Sequence, residues 1–368
     1  MGNAYAERRN RLLGRMAERG IDAALIVSPT SIYYLTGFLS DPHERFLALL
    51  LDARKNAEAL FVPLLDAESA RRNGTVADIV PLSDTEDPYA RLSGALSASA
   101  AAVGVEKNVL TLDRAERIAR LVPNAALVDL TPELESMRVR KTAEEIAKVQ
   151  AAVDLIEKVV AHAAERAAVG MTELDLTAEL EYQMKRLGAD RPSFESIVLT
   201  GSRTALPHGV PETVPIREGD FVLIDIGAQV NGYCSDITRT FLMGEGTKEQ
   251  ERIYETVLAA NRAGIAAARA GTAASEVDRA ARDVIAAAGY GDFFTHRVGH
   301  GFGLDIHEFP SLHGANPALL ESGMLFTVEP GIYVPELGGV RIEDDVYVQE
   351  DGSVRVLTSY PKSLTRLG

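Results

Sequence analysis

Four acids and one histidine lie in or beside apolar, strand-like sequence: Asp225, Asp236, His300, Glu329 and Glu343. A carboxylate in such surroundings costs several kcal/mol, on the order of any buried charge, unless it is paired or bound to a cation. Four carboxylates balance a pair of divalent cations and leave room for one bridging hydroxide. Oxygen-rich ligation with a single nitrogen suits Mn²⁺, with Co²⁺ or Zn²⁺ as alternatives and no thiolate to force zinc. Two such ions about 3.5 Å apart lower the pKa of a bridging water, polarise a carbonyl and stabilise a tetrahedral oxyanion. Amide hydrolysis needs those functions.

Strand geometry can gather these residues. Phe221 to Gly227 reads as an apolar strand with Asp225 embedded in it, turning near Val230-Asn231-Gly232 and returning through Asp236. A two-residue loop at 230–231 or at 231–232 puts Asp225 and Asp236 on one face, directly opposite or diagonal. Thr295 to Glu308 carries His296, His300 and His307 among Gly299, Gly301 and Gly303. The four-residue spacing of His296 and His300 would suit a helical zinc pair, but the glycines favour a loosened loop or strand. Glu329 ends an apolar strand just before Pro330-Gly331. Arg341 and Glu343, two apart, are expected on one face of the next strand, where Arg341 could orient Glu343 or a substrate carboxylate. His162 and His313 read as ordinary structural or surface histidines.

The 368 residues suit two domains. Hydrophobic content of 46% and charged content of 25% are ordinary for a globular protein with a sizeable core. No apolar run would span a bilayer, and the N-terminus lacks a signal-peptide apolar region. A net charge of -15 disfavours nucleic acid. The single cysteine, Cys234, excludes an internal disulfide and points to a reducing cytoplasm. The first third alternates helix and strand: a helix over 4–19, a strand over 23–27 stopped by Ser28-Pro29, a hairpin of 46–51 with 59–62, a strand over 101–105, and helices near 88–99 and 113–121. After a boundary near Met137 to Lys141, Thr142 and Glu145 form a capping box. Helices over 142–168 and 172–187 precede strand-rich sequence to 243. A second pair over 247–269 and 273–288 precedes another strand-rich stretch, which hints at internal duplication in an α+β fold. The expected domains are 1–138, a smaller α/β domain, and 139–368, the catalytic domain.

These motifs resemble the pita-bread metallopeptidases, the family of methionine aminopeptidase, aminopeptidase P and prolidase. The family's ligands, Asp, Asp, His, Glu, Glu in that order, match Asp225, Asp236, His300, Glu329 and Glu343. The resemblance implies that Asp225 chelates one ion, that His300 and Glu329 hold the other, and that Asp236 and Glu343 bridge. It also makes Glu329 the proton acceptor from the nucleophilic water. By the same resemblance His208 and His307 contact the substrate and its tetrahedral intermediate, and His296 is the outer histidine of the proline-specific branch. The N-terminal third resembles the extra domain of prolidases, aminopeptidases P and creatinase. Thr36 to Phe46, Val105 to Asn108, and Phe294 to Gly301 through His307 to Ser311 are most similar to bacterial prolidases of the lactic-acid-bacterial type.

Many prolidases place an arginine for the dipeptide carboxylate where this chain has Ser311. Arg297, Arg341 and Arg45 are the candidates to replace it. Asp41, His43, Glu44 and Arg45 form a charged loop that could gate a dimer partner's active site. The resulting expectation is an Xaa-Pro dipeptidase acting on proline-containing dipeptides or short peptides, as a cytoplasmic homodimer. The alternatives are an Xaa-Pro aminopeptidase acting on longer peptides and a non-catalytic binding protein on the same fold.

Overall fold

Ser28 and Pro29 end one element and start the next. The strand Ala23–Ile26 stops there, and the Ser28 side chain accepts from the Ser31 amide to cap the helix Pro29–Thr36. Proline at the helix start needs no amide hydrogen, so a strand breaker doubles as a helix starter. The computed structural model describes residues 2–368, in two units divided between Met137 and Arg138.

The first unit is built on a six-stranded mixed sheet. The hairpin of Ala48–Asp52 with Ala57–Pro63 lies where the sequence indicates, antiparallel to each other. Ala23–Ile26 pairs antiparallel with Ala48–Asp52 and parallel with Ala102–Val105. Two edge strands, Ile79–Leu82 and Ala126–Asp129, escaped the sequence reading. Each is four residues long and pairs in parallel with the strand before it across a helical crossover, so no hairpin turn announces it.

The second unit sets a helix pair on a sheet twice. Thr142 and Glu145 make the expected capping box of Ala143–Arg166, which packs with Glu173–Arg186. Val159, Leu176, Val222 and Ile237 share one apolar core between this pair and the sheet containing Phe221–Ile226 and Ile237–Met243. Lys248–Ala267 and Ala274–Ala287 form the second pair. Their Val257 and Val277 pack with Phe326 and Val346 of a five-stranded sheet that includes Gly299–Gly301, Leu325–Val328 and Asp344–Val348. The architecture is α+β, and no described helix is long and apolar enough to cross a membrane.

Hairpin parity is resolved by the loop Asn231-Gly232, whose φ values of 50° and 78° suit a two-residue primed turn. Val230 pairs with Tyr233 and Asp225 with Thr238, so the register is the same at both ends of the ribbon. Asp236, two residues before Thr238, is therefore diagonal to Asp225 on the same face. The expectation for Arg341 and Glu343 needs correction. Arg341 ends the strand Gly338–Arg341, and Glu343 lies in the break before Asp344–Val348. That break is pinned across the two sheets, the Glu343 amide donating to the Thr238 carbonyl at 3.2 Å.

Candidate active site

His300 sits in the short strand Gly299–Gly301, as its glycine neighbours suggested, but for a different reason. A Cβ on Gly299 would lie 2.0 Å from the Thr327 carbonyl oxygen, and one on Gly301 2.2 Å from that of Phe309. The glycines let neighbouring backbones close around the histidine rather than loosening the chain. His300 Nδ1 lies 3.1 Å from the Gly301 carbonyl, which can only accept, so Nδ1 carries the hydrogen. The Nε2 lone pair then faces Glu329 Oε1 at 3.3 Å and Asp236 Oδ2 at 3.7 Å. Burial, with the charges of His307 and Arg297 nearby, holds this imidazole down to about 3, so it stays neutral, the state in which its nitrogen could hold a metal.

The acids converge on one cavity of about 360 Å³, lined by Asp225, Asp236, His300, Glu329 and Glu343. Ligand atoms of Asp236, His300 and Glu343 all lie within 4.8 Å of one another. Burial and the charges of Glu343 and Asp225 push the Asp236 carboxyl well above its ordinary range. Burial and the charges of Glu329 and Asp225 do the same to Glu343. Glu329 is raised to about 7, by burial first and by Asp225 against the opposing Arg341 charge. Asp225 Oδ1 is buried without a hydrogen-bond partner. An acid cluster that resists ionisation and keeps an open oxygen fits divalent cations, which would relieve both penalties.

Hydroxyls and one guanidinium hold the acids. Thr238 Oγ1 donates to Glu343 Oε2 at 2.6 Å, and Thr327 Oγ1 to Glu329 Oε1 at 3.1 Å. Arg341 is buried and donates to Thr238 Oγ1 at 3.1 Å, to the Tyr333 hydroxyl at 2.8 Å and to Asp225 Oδ2. It thus contacts Asp225 directly and reaches Glu343 only through Thr238, correcting the expected direct Arg341–Glu343 contact, while it also lines the cavity. Tyr333, absent from the sequence reading, passes the contact on: its hydroxyl lies 2.9 Å from His296 Nε2. Because His296 Nδ1 lies 2.7 Å from the Arg297 carbonyl, both ring nitrogens are engaged within the protein. Burial, reinforced by the Arg341 charge, lowers His296 to about 4. Gly331 leaves the space Tyr333 occupies, since a Cβ there would lie 2.4 Å from its hydroxyl.

The remaining sequence candidates divide between the units. His208, His307 and Arg297 line the same cavity, with the His307 ring perpendicular to His300 at 4.2 Å between centroids. Arg297 Nη1 donates to Ser311 Oγ at 3.0 Å. Arg45 belongs to the first unit, where Asp84 takes its Nε at 2.9 Å and its Nη2 at 3.4 Å. His43 is exposed beside it, with φ at 52°. His162 bonds Glu179 at 2.6 Å, and His313 Nδ1 accepts from the Ala315 amide. Thr238 and Thr327 could have been read from parity, being two residues from Asp236 and Glu329. Glu308 was passed over as the tail of the histidine motif. It is buried and takes Lys141 Nζ at 2.8 Å, Arg138, and the amides of Leu304 and Asp305 at 2.9 and 3.1 Å, bracing the loop that carries His307.

Comparison with known proteins agrees with this geometry. Residues 147–350 match the model described as metallopeptidase family M24, and residues 8–140 match the creatinase/prolidase N-terminal domain. The Bacillus subtilis (strain 168) candidate dipeptidase YkvY is 42% identical over 353 residues, covering 95% of this chain and 96% of its own. The Xaa-Pro dipeptidase from Bacillus anthracis superposes with a TM-score of 0.91 at 34% identity, covering 99% of this chain and 100% of that one. An X-Pro aminopeptidase from Thermotoga maritima MSB8 gives 0.86 at 32% identity over 95% and 99% of the two chains. The chain belongs to metallopeptidase family M24, as a pita-bread metallopeptidase with a creatinase/prolidase-type N-terminal domain.

Proposed function

We propose that this chain is an Xaa-Pro dipeptidase that hydrolyses the imide bond of proline dipeptides, with residues 139–368 as its catalytic domain. The observation that carries the reading is the buried acid cluster, its unpartnered Asp225 oxygen included, sharing one cavity with Arg297. Asp225, Asp236, His300, Glu329 and Glu343 would hold a pair of divalent cations, manganese suiting them best, which supply Lewis acidity and a water of lowered pKa. Glu329 accepts the proton of the attacking water on its carboxylate. His208 and His307 donate to the carbonyl oxygen as negative charge develops there, and a histidine relays the proton taken up by Glu329 to the leaving proline nitrogen. His296, tied at both nitrogens, acts by holding Tyr333 and the Arg297 backbone in place. Arg297, pinned by Ser311, pairs with the C-terminal carboxylate of the dipeptide. Chains working as a homodimer in the cytoplasm, with His43 and Arg45 as a gate over the partner's site, complete the reading.

The second reading is an Xaa-Pro aminopeptidase, favoured by serine at position 311, which contributes no cation of its own to a carboxylate site. A panel of X-Pro dipeptides and Leu-Pro-Pro-type tripeptides with added Mn²⁺, Co²⁺ or Zn²⁺ separates the two. Faster turnover of Leu-Pro than of the tripeptide is expected, and the reverse order would transfer the assignment to an aminopeptidase. Absence of both metal binding and hydrolysis would leave a non-catalytic relative.

A further inference from the structure

A second cavity of about 310 Å³ adjoins the catalytic one, and Ile197 and His208 line both. Its apolar wall is formed by Leu174, Val210 and Pro211, of which Leu174 is 44% and Val210 66% exposed. Its polar part includes Glu181 and Glu195, both exposed, and among the described residues no lysine or arginine lines it. Glu181 accepts from Ser196 at 2.9 Å, which fixes one carboxylate at this wall.

We propose that this second cavity is the subsite for the side chain of the residue preceding proline, and that it selects long side chains ending in a cation. The inference rests on the X-Pro reading above. A dipeptide has one anionic end, and Glu181 and Glu195 in the second cavity would repel it, so the proline carboxylate is turned toward Arg297 and away from the glutamates. The preceding residue, joined across the scissile bond, then faces the shared wall of Ile197 and His208. Lysine and arginine lay an apolar stem on apolar surface and keep the charged head at a polar rim, which matches Leu174, Val210 and Pro211 followed by Glu181 and Glu195. Exposed carboxylates are screened by solvent and salt, so the selection is modest, about two- to tenfold.

The test uses the metal-loaded full chain and reads kcat/KM for Lys-Pro, Arg-Pro, Leu-Pro and Glu-Pro. The expected ratio of Lys-Pro to Leu-Pro is about two to ten at low salt, falling with added NaCl. In the double variant Glu181→Gln, Glu195→Gln it falls toward one, while the ratio of Glu-Pro to Leu-Pro rises. A wild-type ratio of one or less, or a ratio that the double variant leaves unchanged, overturns the subsite assignment while leaving the dipeptidase reading standing. If no X-Pro dipeptide is cleaved, the dipeptidase reading falls and the subsite falls with it.

Discussion

Glu343→Gln should stabilise the metal-free protein near pH 8 while abolishing the ability of metal to restore activity. The acids of the site are placed for cations, and without them each folded-state carboxylate meets burial and its neighbours' charges. Glu329 shows the size of the effect, its carboxyl being raised from an ordinary value of 4.5 to about 7. A folded-state value above the unfolded one means the stability is whole below about pH 4.5 and is lost as pH rises through about 7. That gap corresponds to about 3 kcal/mol for Glu329 alone, to order of magnitude. Glu343 is the strongest of the charges acting on Asp236 and is itself repelled by Glu329 and Asp225. An amide at 343 keeps an oxygen for Thr238 and removes one charge from the cluster. The expected gain is about 1–3 kcal/mol for the metal-free variant near pH 8, shrinking toward pH 5. Urea unfolding of wild type and variant in chelator at both pH values reads it. Parallel samples with Mn²⁺ should show wild type, and not the variant, regaining stability by ligand linkage. A metal-free variant less stable than wild type near pH 8, or a difference independent of pH, would refute the account of the cluster.

Other expectations follow from neighbouring contacts. Glu308→Gln should destabilise the fold by about 3–5 kcal/mol near neutrality, because the buried Lys141 loses its counter-charge and Arg138 keeps only the partly exposed Asp305. Lys141 and Arg138, opposing burial, hold the Glu308 carboxyl at about 2. Its contribution is present above about pH 4.5 and lost as pH falls through about 2, so the wild-type advantage in urea unfolding should fade across that window. Tyr333→Phe should lower kcat about 10- to 100-fold, with metal content by elemental analysis unchanged, because the hydroxyl joins Arg341 to His296 and Tyr333 is not among the residues lining the cavity. A kcat within twofold of wild type would count against that linkage. Arg45→Ala should alter dipeptide turnover or specificity if the loop gates a partner's site, and steady-state kinetics unchanged from wild type would remove the gate.

Much of this site was legible because its information is local. The two-residue side-chain period of a strand and a two-residue turn put Asp225 and Asp236 on one face without any tertiary contact. The same period carries Thr238 and Thr327 inward. What escaped depends on partners far apart in sequence. Nothing near Arg341 announces that it serves Asp225 and Tyr333 rather than Glu343 two residues away. The strand break at Ile342-Glu343 arises where two sheets meet, through the Thr238 carbonyl, and strand period alone hides it. Gly299 and Gly301 looked like loosening elements because sequence does not reveal the Thr327 and Phe309 backbones pressed against them. Glu308 looked like motif background until Lys141 and Arg138 were found on it.

Cation stoichiometry measured together with Leu-Pro hydrolysis tests the central claim most directly. The purified chain is stripped with chelator, titrated with Mn²⁺, and assayed for bound metal and activity at each point. Activity should rise with occupancy and saturate at about two ions per chain, and Asp236→Asn should lose both together. Full Leu-Pro turnover in the stripped protein, or saturated binding with no turnover of any X-Pro peptide, would contradict the assignment.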